Sequence, residues 1–398
     1  MKILWVKTDF LHPTNRGGQI RTLEILRRLH MRHEIHYVAF QNPAFPEGIE
    51  RAGEYSTRAY PLAHQVPPRG SAKFAGQMIA NLFSALPLPV SRYRSDSMRR
   101  QIDELLASQA FDATVCDFIF PAPNFTDLGR CVLFQHNVEA VIWQRMAEQS
   151  GNPLRRSYFG MQARRMFSCE GDACRRAGHV IAVSEIDASR MREIYEVTRI
   201  SAIPTGVDLD FFGPPATVEP RQDLVFVGSM DWIPNIDAVN YFLDEIFPKI
   251  NARRPETTLA IVGRTPGAEL RARVANDPRI TITGTVPDVR PWLWGARLSV
   301  VPLRIGGGTR LKIYEAMAAR LPVVSTAIGA EGLATDAPHN IRLADDPEAF
   351  ARECTGLLDD EAERCRMADA AYAMVSQQFS WERVATAFER ILETGPRP

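Results

Sequence analysis

The 398 residues of the chain carry no formal net charge, because 47 Lys and Arg balance 47 Asp and Glu. A hydrophobic fraction of 45% is typical of a globular protein and excludes a disordered or fibrous chain. A chain of this length is too long for one compact core, so two domains are expected. The charge is uneven: residues 1–200 carry 26 basic against 20 acidic residues, which leaves 21 against 27 in the remainder.

The six cysteines form no CxxC pair and show no zinc-type spacing with histidine, so reduced thiols are expected. The first residues, MKILWVKTDF, are too poor in apolar side chains for a signal peptide, and no apolar run approaches the length of a membrane span. We therefore expect a cytoplasmic protein. No DxD-like carboxylate pair stands at a predicted strand end and no histidines cluster, so no metal site is predicted.

Short apolar runs bounded by turn residues predict buried parallel strands along the first half of the chain. They lie at 2–7, 34–40, 112–118, 131–135 and 179–184. Between the first two, a predicted helix opens with Gly17 and Gly18 and has Ile20, Leu23 and Leu26 at helical spacing. The order strand, glycine-rich loop, helix, strand is typical of a ligand-binding loop, and a simple tight turn is the alternative.

A second series of strands follows a Pro- and Gly-rich stretch at 203–220, which predicts a linker. The predicted strands lie at 223–228, 258–263, 279–284, 297–303 and 321–326, with helices at 236–247, 268–275 and 311–319. This rhythm predicts two doubly wound α/β domains. A last helix at 380–392 either caps the second domain or crosses back to the first.

The stretch GGGTRLKIYEAMAA at 306–319 joins a predicted strand to a helix, with Thr309 as the predicted N-cap. Glycines let a backbone approach a ligand closely, and free amides at a helix N-terminus bind phosphate. Arg310 and Lys312 add positive charge, and Glu315 adds a carboxylate about a turn further on. The stretch therefore fits an anionic ligand with sugar hydroxyls, whereas the alternative is a closely packed turn with solvated charges.

Several motifs, in their order and spacing, resemble the family 4 retaining glycosyltransferases of the GT-B fold over nearly the whole chain. They are RGGQIRTLEIL from 16, QHNVEA from 135, VIAVSEID from 180, IPTGVDLDFF from 203, LVFVGSMDWIPNIDAV from 224, LAIVGRTPG from 259, ITGTVPDVRPWL from 282 and GGGTRLKIYEAMAARLPVVSTAIGAEGL from 306. The resemblance implies an α/β protein of two Rossmann-like doubly wound domains facing a cleft. It further implies transfer of a sugar from a nucleotide-diphosphate donor to an acceptor, with retention of the anomeric configuration.

The resemblance also implies the domain organisation. Residues 1–203 are expected to bind the acceptor and 204–378 the nucleotide sugar, while 379–398 form a helix that packs back on the first domain.

The resemblance further implies that the sugar transfer uses no cofactor and no metal. The departing phosphate is expected to be stabilised by cations and amides and to take the proton of the acceptor.

Donor-binding residues follow from the same resemblance, with two departures from the family pattern. Glu315 matches the second of two family glutamates, which holds the ribose hydroxyls, but the first falls on Gly307. An Arg and Lys pair expected after the strand 223–228 is also absent, so Arg310 and Lys312 are predicted to balance the phosphate charge. The remaining donor-binding candidates are Gly17, Gly18, Gly228, Arg264, Val286, Gly308 and Thr309.

In the first domain, His136 directly follows a predicted strand and matches a family histidine placed near the transferred sugar. It joins Arg310 and Lys312 as a catalytic candidate, with a structural histidine as the alternative. Asp117, at the end of a neighbouring strand, is a candidate for binding acceptor hydroxyls, with a structural role as its alternative.

The stretches 73–94 and 155–167 mix basic and apolar residues in the basic half of the chain. They fit a peripheral position on an anionic membrane surface, where lipid-linked acceptors are found, and a solvated helix face is the alternative. Nucleic acid is not an expected partner, because the arginines are dispersed. Two other functions stay open: a nucleotide-sugar epimerase on the same fold, and a sugar-nucleotide-binding protein without catalytic activity.

Overall fold

Two parallel sheets organise the residues that the computed structural model describes, which are 1–14, 16–68, 70–218, 221–306 and 310–396. Each sheet belongs to its own compact unit. The first unit comprises the described residues of Met1–Thr205 and Trp381–Pro398, and the second is Gly206–Ser380.

The sheet of the first unit has seven strands in the order β3-β2-β1-β4-β5-β6-β7, all parallel. The strands are β1 (Lys2–Val6), β2 (Glu34–Gln41), β3 (Arg58–Ala63), β4 (Ala113–Asp117), β5 (Val132–Phe134), β6 (His179–Ala182) and β7 (Ile200–Ala202). All residues of β4 and β5 are buried, which explains why these strands are apolar on both faces. The order places β1, β4 and β5 side by side in the centre, so that their carboxyl ends share one edge.

The helices of the first unit connect these strands and close the chain. They are α1 (Gly17–His30), α2 (Glu47–Glu50), α3 (Ala72–Asn81), α4 (Leu88–Ser91), α5 (Asp96–Ser108), α6 (Glu139–Glu148), α7 (Pro153–Arg176), α8 (Glu185–Tyr195) and, at the end of the chain, α17 (Trp381–Thr394), with 3-10 turns at Ala52–Glu54 and Ala122–Asn124.

Helix α17 packs on the first unit through an aromatic cluster. The ring of Phe388, fully buried, lies 5.3 Å from the ring of Trp5 and 5.0 Å from that of Phe134. The next residue, Glu389, accepts a hydrogen bond from Arg32 at 2.8 Å and pairs with His33 at 2.6 Å. Apolar burial supplies most of the stabilisation in such a contact, and the ion pairs fix the orientation of the helix.

The sheet of the second unit has six parallel strands in the order β10-β9-β8-β11-β12-β13. The strands are β8 (Gln222–Val227), β9 (Leu259–Val262), β10 (Ile280–Gly284), β11 (Ala296–Val301), β12 (Val323–Ser325) and β13 (Arg342–Leu343). The helices are α9 (Leu209–Phe212), α10 (Ile233–Tyr241), α11 (Phe247–Arg253), α12 (Ala268–Val274), α13 (Arg290–Trp294), α14 (Leu311–Ala318), α15 (Pro347–Asp359) and α16 (Glu361–Gln378), with a π-helical turn at Phe242–Ile246 between α10 and α11. In both sheets the strand order reverses beside the first strand, which is the point where doubly wound folds bind ligands.

All ten strands predicted from the sequence are present, within one or two residues at each end. Three strands were not predicted: β3, which is an edge strand with exposed side chains and a proline, and β7 and β13, which have three and two residues. The helix predicted at 236–247 is interrupted by the π-helical turn, and the predicted linker at 203–220 contains the short helix α9.

Candidate functional site

A buried polar network lies at the carboxyl ends of β1, β4 and β5. Asp117, the last residue of β4, is at its centre and is 1% exposed. Its Oδ1 accepts from Lys7 Nζ at 2.7 Å and lies 2.6 Å from His136 Nε2, while its Oδ2 accepts from Trp5 Nε1 at 2.8 Å and Thr22 Oγ1 at 2.7 Å. Burial raises the pKa of Asp117, but the charge of Lys7 and the hydrogen bonds outweigh it and hold that pKa well below its usual range.

The contacts of His136 fix its protonation. Arg21 NH1 lies 2.9 Å from Nδ1 of His136, and a guanidinium only donates, so Nδ1 is the acceptor. The proton is therefore on Nε2, which donates to Asp117. Burial, together with the charges of Lys7 and Arg21, lowers the pKa of His136 to about 4 against the opposing effect of Asp117. The same guanidinium donates to Thr205 Oγ1 at 3.1 and 2.6 Å. Arg21 therefore links helix α1 to Thr205, the last residue of the first stretch of this unit.

These contacts bear on two predictions. They favour the structural alternative for Asp117, because its carboxylate is enclosed and takes four donors from within the unit; binding of acceptor hydroxyls by Asp117 stays a prediction. His136 lies at the sheet edge where it was expected, but both ring nitrogens have partners in the network. A contact of His136 with a sugar stays a prediction, and the ring is not set up to exchange a proton.

The start of helix α1 lies against His136. A Cβ atom on Gly18 would be 3.9 Å from Cγ and Nδ1 of the imidazole, so the glycine leaves the helix in contact distance of the ring. The N-cap residue Arg16 makes no side-chain capping bond, and Gly17 is exposed. Because the first amides of a helix have no partner within it, this end can bind an anion. Gly18 and His136 were predicted separately from the sequence, and the structure places them in contact distance.

The two cations of this network, Lys7 and Arg21, were missed by the sequence reasoning. Lys7 directly follows the buried strand β1, and a charged residue at a strand end on the ligand side is a signal that was available. Arg21 is 3% exposed within α1, and only the fold shows that it reaches the end of β5.

In the second unit, helix α14 brings a cation and a carboxylate to the carboxyl end of the sheet. Lys312 Nζ donates to Asn235 Oδ1 at 3.0 Å and lies 4.5 Å from the ring centre of Phe226. Burial and the charge of Arg310 lower the pKa of Lys312 to about 7, although Glu315 opposes them. Burial raises the pKa of Glu315 to about 7 against the influence of Lys312. Lys312 and Glu315 are thus held where water solvates their charges poorly. An incoming anion would therefore stabilise the charged ammonium group of Lys312.

Gly228 makes room for this arrangement at the end of β8. A Cβ atom there would be 2.9 Å from the amide group of Asn235 and from Lys312 Nζ. Asn235 is 4% exposed and its Nδ2 donates to the carbonyl of Ser229 at 2.8 Å, which leaves Oδ1 for Lys312. Asn235 was not predicted from the sequence, because an asparagine near a helix start is ordinarily read as a cap.

Arg310 is the N-cap residue of α14 and is 6% exposed. Its guanidinium fills the space that a side chain at Gly306 would occupy and lies 5.9 Å from the ring of Trp232. The predicted residues Gly307, Gly308 and Thr309 lie outside the described residues. The helix begins at Leu311, so Arg310 occupies the N-cap position for which Thr309 was proposed.

The two remaining donor-binding candidates lie near other strand ends of the second sheet. Arg264 follows β9 and pairs with Asp231 at 3.2 Å, so its charge is already partly balanced. Val286 follows β10 and is partly buried against the core of the second unit. Their contacts with a donor stay predictions.

Within the described ranges, no group of three or more His, Cys, Asp or Glu side chains is arranged to hold a metal ion. The helices built from these same residues include none that is both long and apolar enough to cross a bilayer.

Two protein families match this chain, one over most of the first unit and the other over most of the second. Residues 15–211 match Glycosyltransferase Family 4, and residues 221–360 match Glycosyl transferases group 1. An uncharacterized 44.6 kDa protein in the cps region of Klebsiella pneumoniae is 21% identical over 395 residues, which cover 96% of this chain and 97% of that protein.

Two further proteins are similar to the chain. A GDP-mannose-dependent monoacylated alpha-(1-6)-phosphatidylinositol monomannoside mannosyltransferase of Corynebacterium glutamicum is 28% identical over 214 residues, which are 49% of this chain and 56% of that enzyme. The structure of sucrose-phosphate synthase from Thermosynechococcus elongatus superposes with a TM-score of 0.74 at 17% identity, over 99% of this chain and 98% of that one. The two family matches cover most of the chain and the superposition shows the same two-sheet fold. The chain therefore belongs to the family 4-like glycosyltransferases of the GT-B fold.

Proposed function

We propose that the chain transfers a sugar from a nucleotide-diphosphate donor to a glycan or lipid-linked acceptor, with retention of the anomeric configuration. The second unit binds the donor and the first unit binds the acceptor. The observation that carries this proposal is the arrangement at the start of α14, where Arg310, Lys312 and Glu315 lie within two turns of one helix beside Asn235. The similarity to a GDP-mannose-dependent transferase supports a nucleotide-diphosphate donor.

Each of these residues has a task in that reaction. Breaking the bond between the sugar and the diphosphate develops negative charge on the leaving phosphate, and cations held ready in a poorly solvated site stabilise it. Lys312 and Arg310 supply this charge. Glu315 accepts hydrogen bonds from the ribose hydroxyls, because a carboxylate has two oxygens free to accept them. Retention follows when the acceptor attacks from the face that the phosphate leaves and the phosphate takes its proton, so no metal or cofactor is required.

Nucleoside diphosphates test the donor site directly. A ligand that binds only the folded protein raises its stability, by about 2.7 kcal/mol at a concentration 100 times the dissociation constant. We expect UDP, GDP or ADP to raise the melting temperature of the wild type. The shift should be lost in Lys312→Ala and Glu315→Gln but kept in Lys249→Ala, which removes a partly exposed lysine of the same unit that pairs with Glu348. No shift with any of the three in the wild type would overturn the proposal.

The stereochemical outcome is tested once a donor is found. The anomeric proton of the product and its coupling constant are read by NMR at early times of the reaction. A product with the configuration of the donor is expected, and the opposite configuration would contradict retention. Binding of donor without transfer or hydrolysis would instead favour a protein that binds sugar nucleotides without turnover.

We further propose that the first unit rests on an anionic membrane surface, on which a lipid-linked acceptor is held. Phe83, Leu154 and Ile79 are 89%, 83% and 63% exposed, and the basic residues Arg155 and Arg156 are exposed beside Leu154. The end of α3 is held against α7, because Arg165 donates to the carbonyls of Asn81 at 2.7 Å and Leu82 at 2.8 Å. Apolar side chains among cations are typical of a surface that binds anionic lipid.

Vesicle sedimentation tests this surface. Wild-type protein should sediment with vesicles that contain phosphatidylglycerol and much less with pure phosphatidylcholine. The double variant Phe83→Ser, Arg155→Glu should lose this binding, and Leu343→Ser, which changes an exposed leucine of the second unit, should keep it. Equal binding by the double variant would refute the surface.

A further inference from the structure

A row of aromatic rings follows the carboxyl edge of the first sheet. It begins at His136, whose ring centre lies 5.3 Å from that of Phe118, the residue directly after β4. The ring of Phe118 lies 4.7 Å from that of Phe120, which lies 5.7 Å from that of Tyr93, just after α4. Parallel sheets bind their ligands beyond this edge. The row therefore lies where the first unit would meet its substrate.

Three residues of the row, Phe118, Phe120 and Tyr93, are half-buried. Each side chain packs against the apolar core of the first unit, and each residue keeps part of its surface open to solvent. Phe40, which lies behind Tyr93 at a ring distance of 6.5 Å, is only 5% exposed and belongs to the core itself. The three half-buried rings thus offer apolar surface to a ligand while the core supports them from behind.

The backbone of Phe118 has an unfavourable conformation. Its φ is 81°, in the left-handed region, where a bulky side chain is an outlier. Two contacts maintain this conformation: the amide of Phe118 donates to the carbonyl of Phe134 at 2.8 Å, and its carbonyl accepts from Cys116 Sγ at 3.4 Å. A glycine would adopt the same φ without strain. Because strain of this kind gathers at functional sites, a phenylalanine at this position indicates that its ring has a function.

The loop that carries Tyr93 is fixed on both sides of that residue. Asn124, which is fully buried in the turn after β4, donates from Nδ2 to the carbonyl of Tyr93 at 2.9 Å and accepts from the amide of Ser95 at 2.7 Å. On the other side, His64 Nε2 donates to the carbonyl of Arg92 at 2.8 Å. A surface held in this way loses little conformational entropy when a ligand binds.

The two ends of the row lead to surfaces that have other proposed roles. At one end, His136 lies in contact distance of Gly18, where helix α1 starts and can bind an anion. At the other end, Asn81 of α3 donates to Ser91 of α4 at 3.3 Å, and α4 leads to Tyr93. Helix α3 belongs to the surface proposed to rest on the membrane. A ligand on the row would therefore extend from that surface towards His136.

We propose that Phe118, Phe120 and Tyr93 form a platform that holds a sugar ring of the acceptor. The carbon-bound hydrogens of a pyranose make part of its surface apolar, and an aromatic ring buries this part without a hydrogen bond. The hydroxyl groups of the sugar then point away from the rings, which leaves one of them able to react. The platform lies within the first unit, and its assignment to the acceptor rests on the proposed transferase function.

A fluorine NMR titration tests the platform. The protein is labelled with 3-fluorotyrosine, and the resonance of Tyr93 is identified as the one absent from Tyr93→Phe. The probes are methyl glycosides of glucose, galactose, mannose and N-acetylglucosamine, and at least one should shift the Tyr93 resonance. In Phe118→Leu and in Phe120→Leu, its dissociation constant should rise about fivefold, because leucine keeps the apolar volume but has no flat ring face.

The matched control is Phe111→Leu. Phe111 precedes the same strand β4, at the opposite edge of the sheet, where its ring lies 5.1 Å from that of His36. This variant should titrate as the wild type does. Circular dichroism establishes that each variant is folded, and Phe120→Leu carries the test if Phe118→Leu does not fold.

Two results would overturn the platform. One is no shift of the Tyr93 resonance with any glycoside, or equal dissociation constants in the wild type and the folded leucine variants of Phe118 and Phe120. The other is a shift with farnesyl phosphate but with no glycoside, which would assign the rings to the lipid part of an acceptor.

The outcome is separate from that for the donor site. A wild type whose melting temperature rises with a nucleoside diphosphate, but whose Tyr93 resonance ignores the glycosides, retains the proposed function and loses the platform. A wild type whose Tyr93 resonance responds to a glycoside, but which binds no nucleoside diphosphate, retains a sugar platform and loses the transferase.

Discussion

NH1 of Arg21 lies 2.9 Å from Nδ1 of His136, and this contact determines what the histidine can do. A guanidinium cannot accept a hydrogen bond, so the lone pair of Nδ1 is used and the only ring proton is on Nε2, facing Asp117. The ring is thus held from two sides by groups that do not change their charge near neutral pH. The imidazole of His136 is therefore held in one orientation beside the start of α1. Any contact it makes with a sugar uses the carbon edge of the ring, because both nitrogens are already hydrogen-bonded.

The carboxylate of Asp117 is expected to be required for stability. In Asp117→Asn, Lys7 keeps a buried positive charge without its counter-charge, a change that costs about 3–5 kcal/mol. The free energy of unfolding, measured with urea by circular dichroism, should fall by that amount. Asp172→Asn removes one partner of an exposed ion pair in α7 and should change it by about 0.5 kcal/mol or less. Similar losses in the two variants would mean that Lys7 and Asp117 are not a buried pair.

The network should also make stability depend on pH in a window set by His136. Its pKa is about 4 in the folded protein and 6.5 is the ordinary value, so between these values the unfolded chain binds more protons. Stability is therefore highest above pH 6.5 and falls as the pH decreases towards 4, by about 3 kcal/mol from this group. In His136→Gln, whose amide can still accept from Arg21 and donate to Asp117, this part of the decrease should vanish. Identical pH profiles from urea titrations at pH 7, 5.5 and 4.5 would contradict the assignment.

The fold could be predicted from the sequence because parallel strands buried on both faces leave uninterrupted apolar runs such as those of β4 and β8. Strands at the sheet edges lack this signal. β3 exposes part of its residues and contains Pro61, and β13 has two residues, so neither stands out from a loop. The π-helical turn at Phe242–Ile246 depends on packing and has no pattern in the sequence.

The site could be predicted only in part. Lys312 and Glu315 were found because a glycine-rich turn before a helix is a local pattern. Asn235 and Arg21 act over distances of 77 and 115 residues along the chain, to Lys312 and His136, and no local pattern encodes such pairs. The enclosure of Asp117 could not be predicted for the same reason, since the sequence places this residue at the edge of the sheet but does not show that four donors surround it.

The ammonium group of Lys312 should link donor binding to pH. Its pKa is about 7 in the free protein, and a bound diphosphate raises that pKa because it adds negative charge nearby. The affinity for a nucleoside diphosphate should therefore be highest below pH 7 and decrease as the pH rises, with uptake of a proton on binding. Calorimetry in two buffers with different heats of ionisation measures that uptake. Lys312→Arg stays charged throughout and should bind without this dependence, so an equal pH dependence in both proteins would exclude Lys312 as its source.

The absence of a side chain at Gly228 should be necessary for donor binding. In Gly228→Ala, the new methyl group would lie 2.9 Å from the amide of Asn235 and from Lys312 Nζ, which is closer than van der Waals contact allows. The lysine or the asparagine side chain must then shift, which disturbs the 3.0 Å hydrogen bond between them and displaces the ammonium group from its place at the strand end. Affinity for the nucleoside diphosphate should fall about tenfold or more, since a misplaced charged partner costs over 1.4 kcal/mol.

The control is Gly267→Ala, at a glycine of the same unit where an added Cβ would have no atom within 4 Å, and this variant should bind as the wild type does. Wild-type affinity in Gly228→Ala, measured by the same calorimetry, would show that Lys312 binds no phosphate from the position it has here.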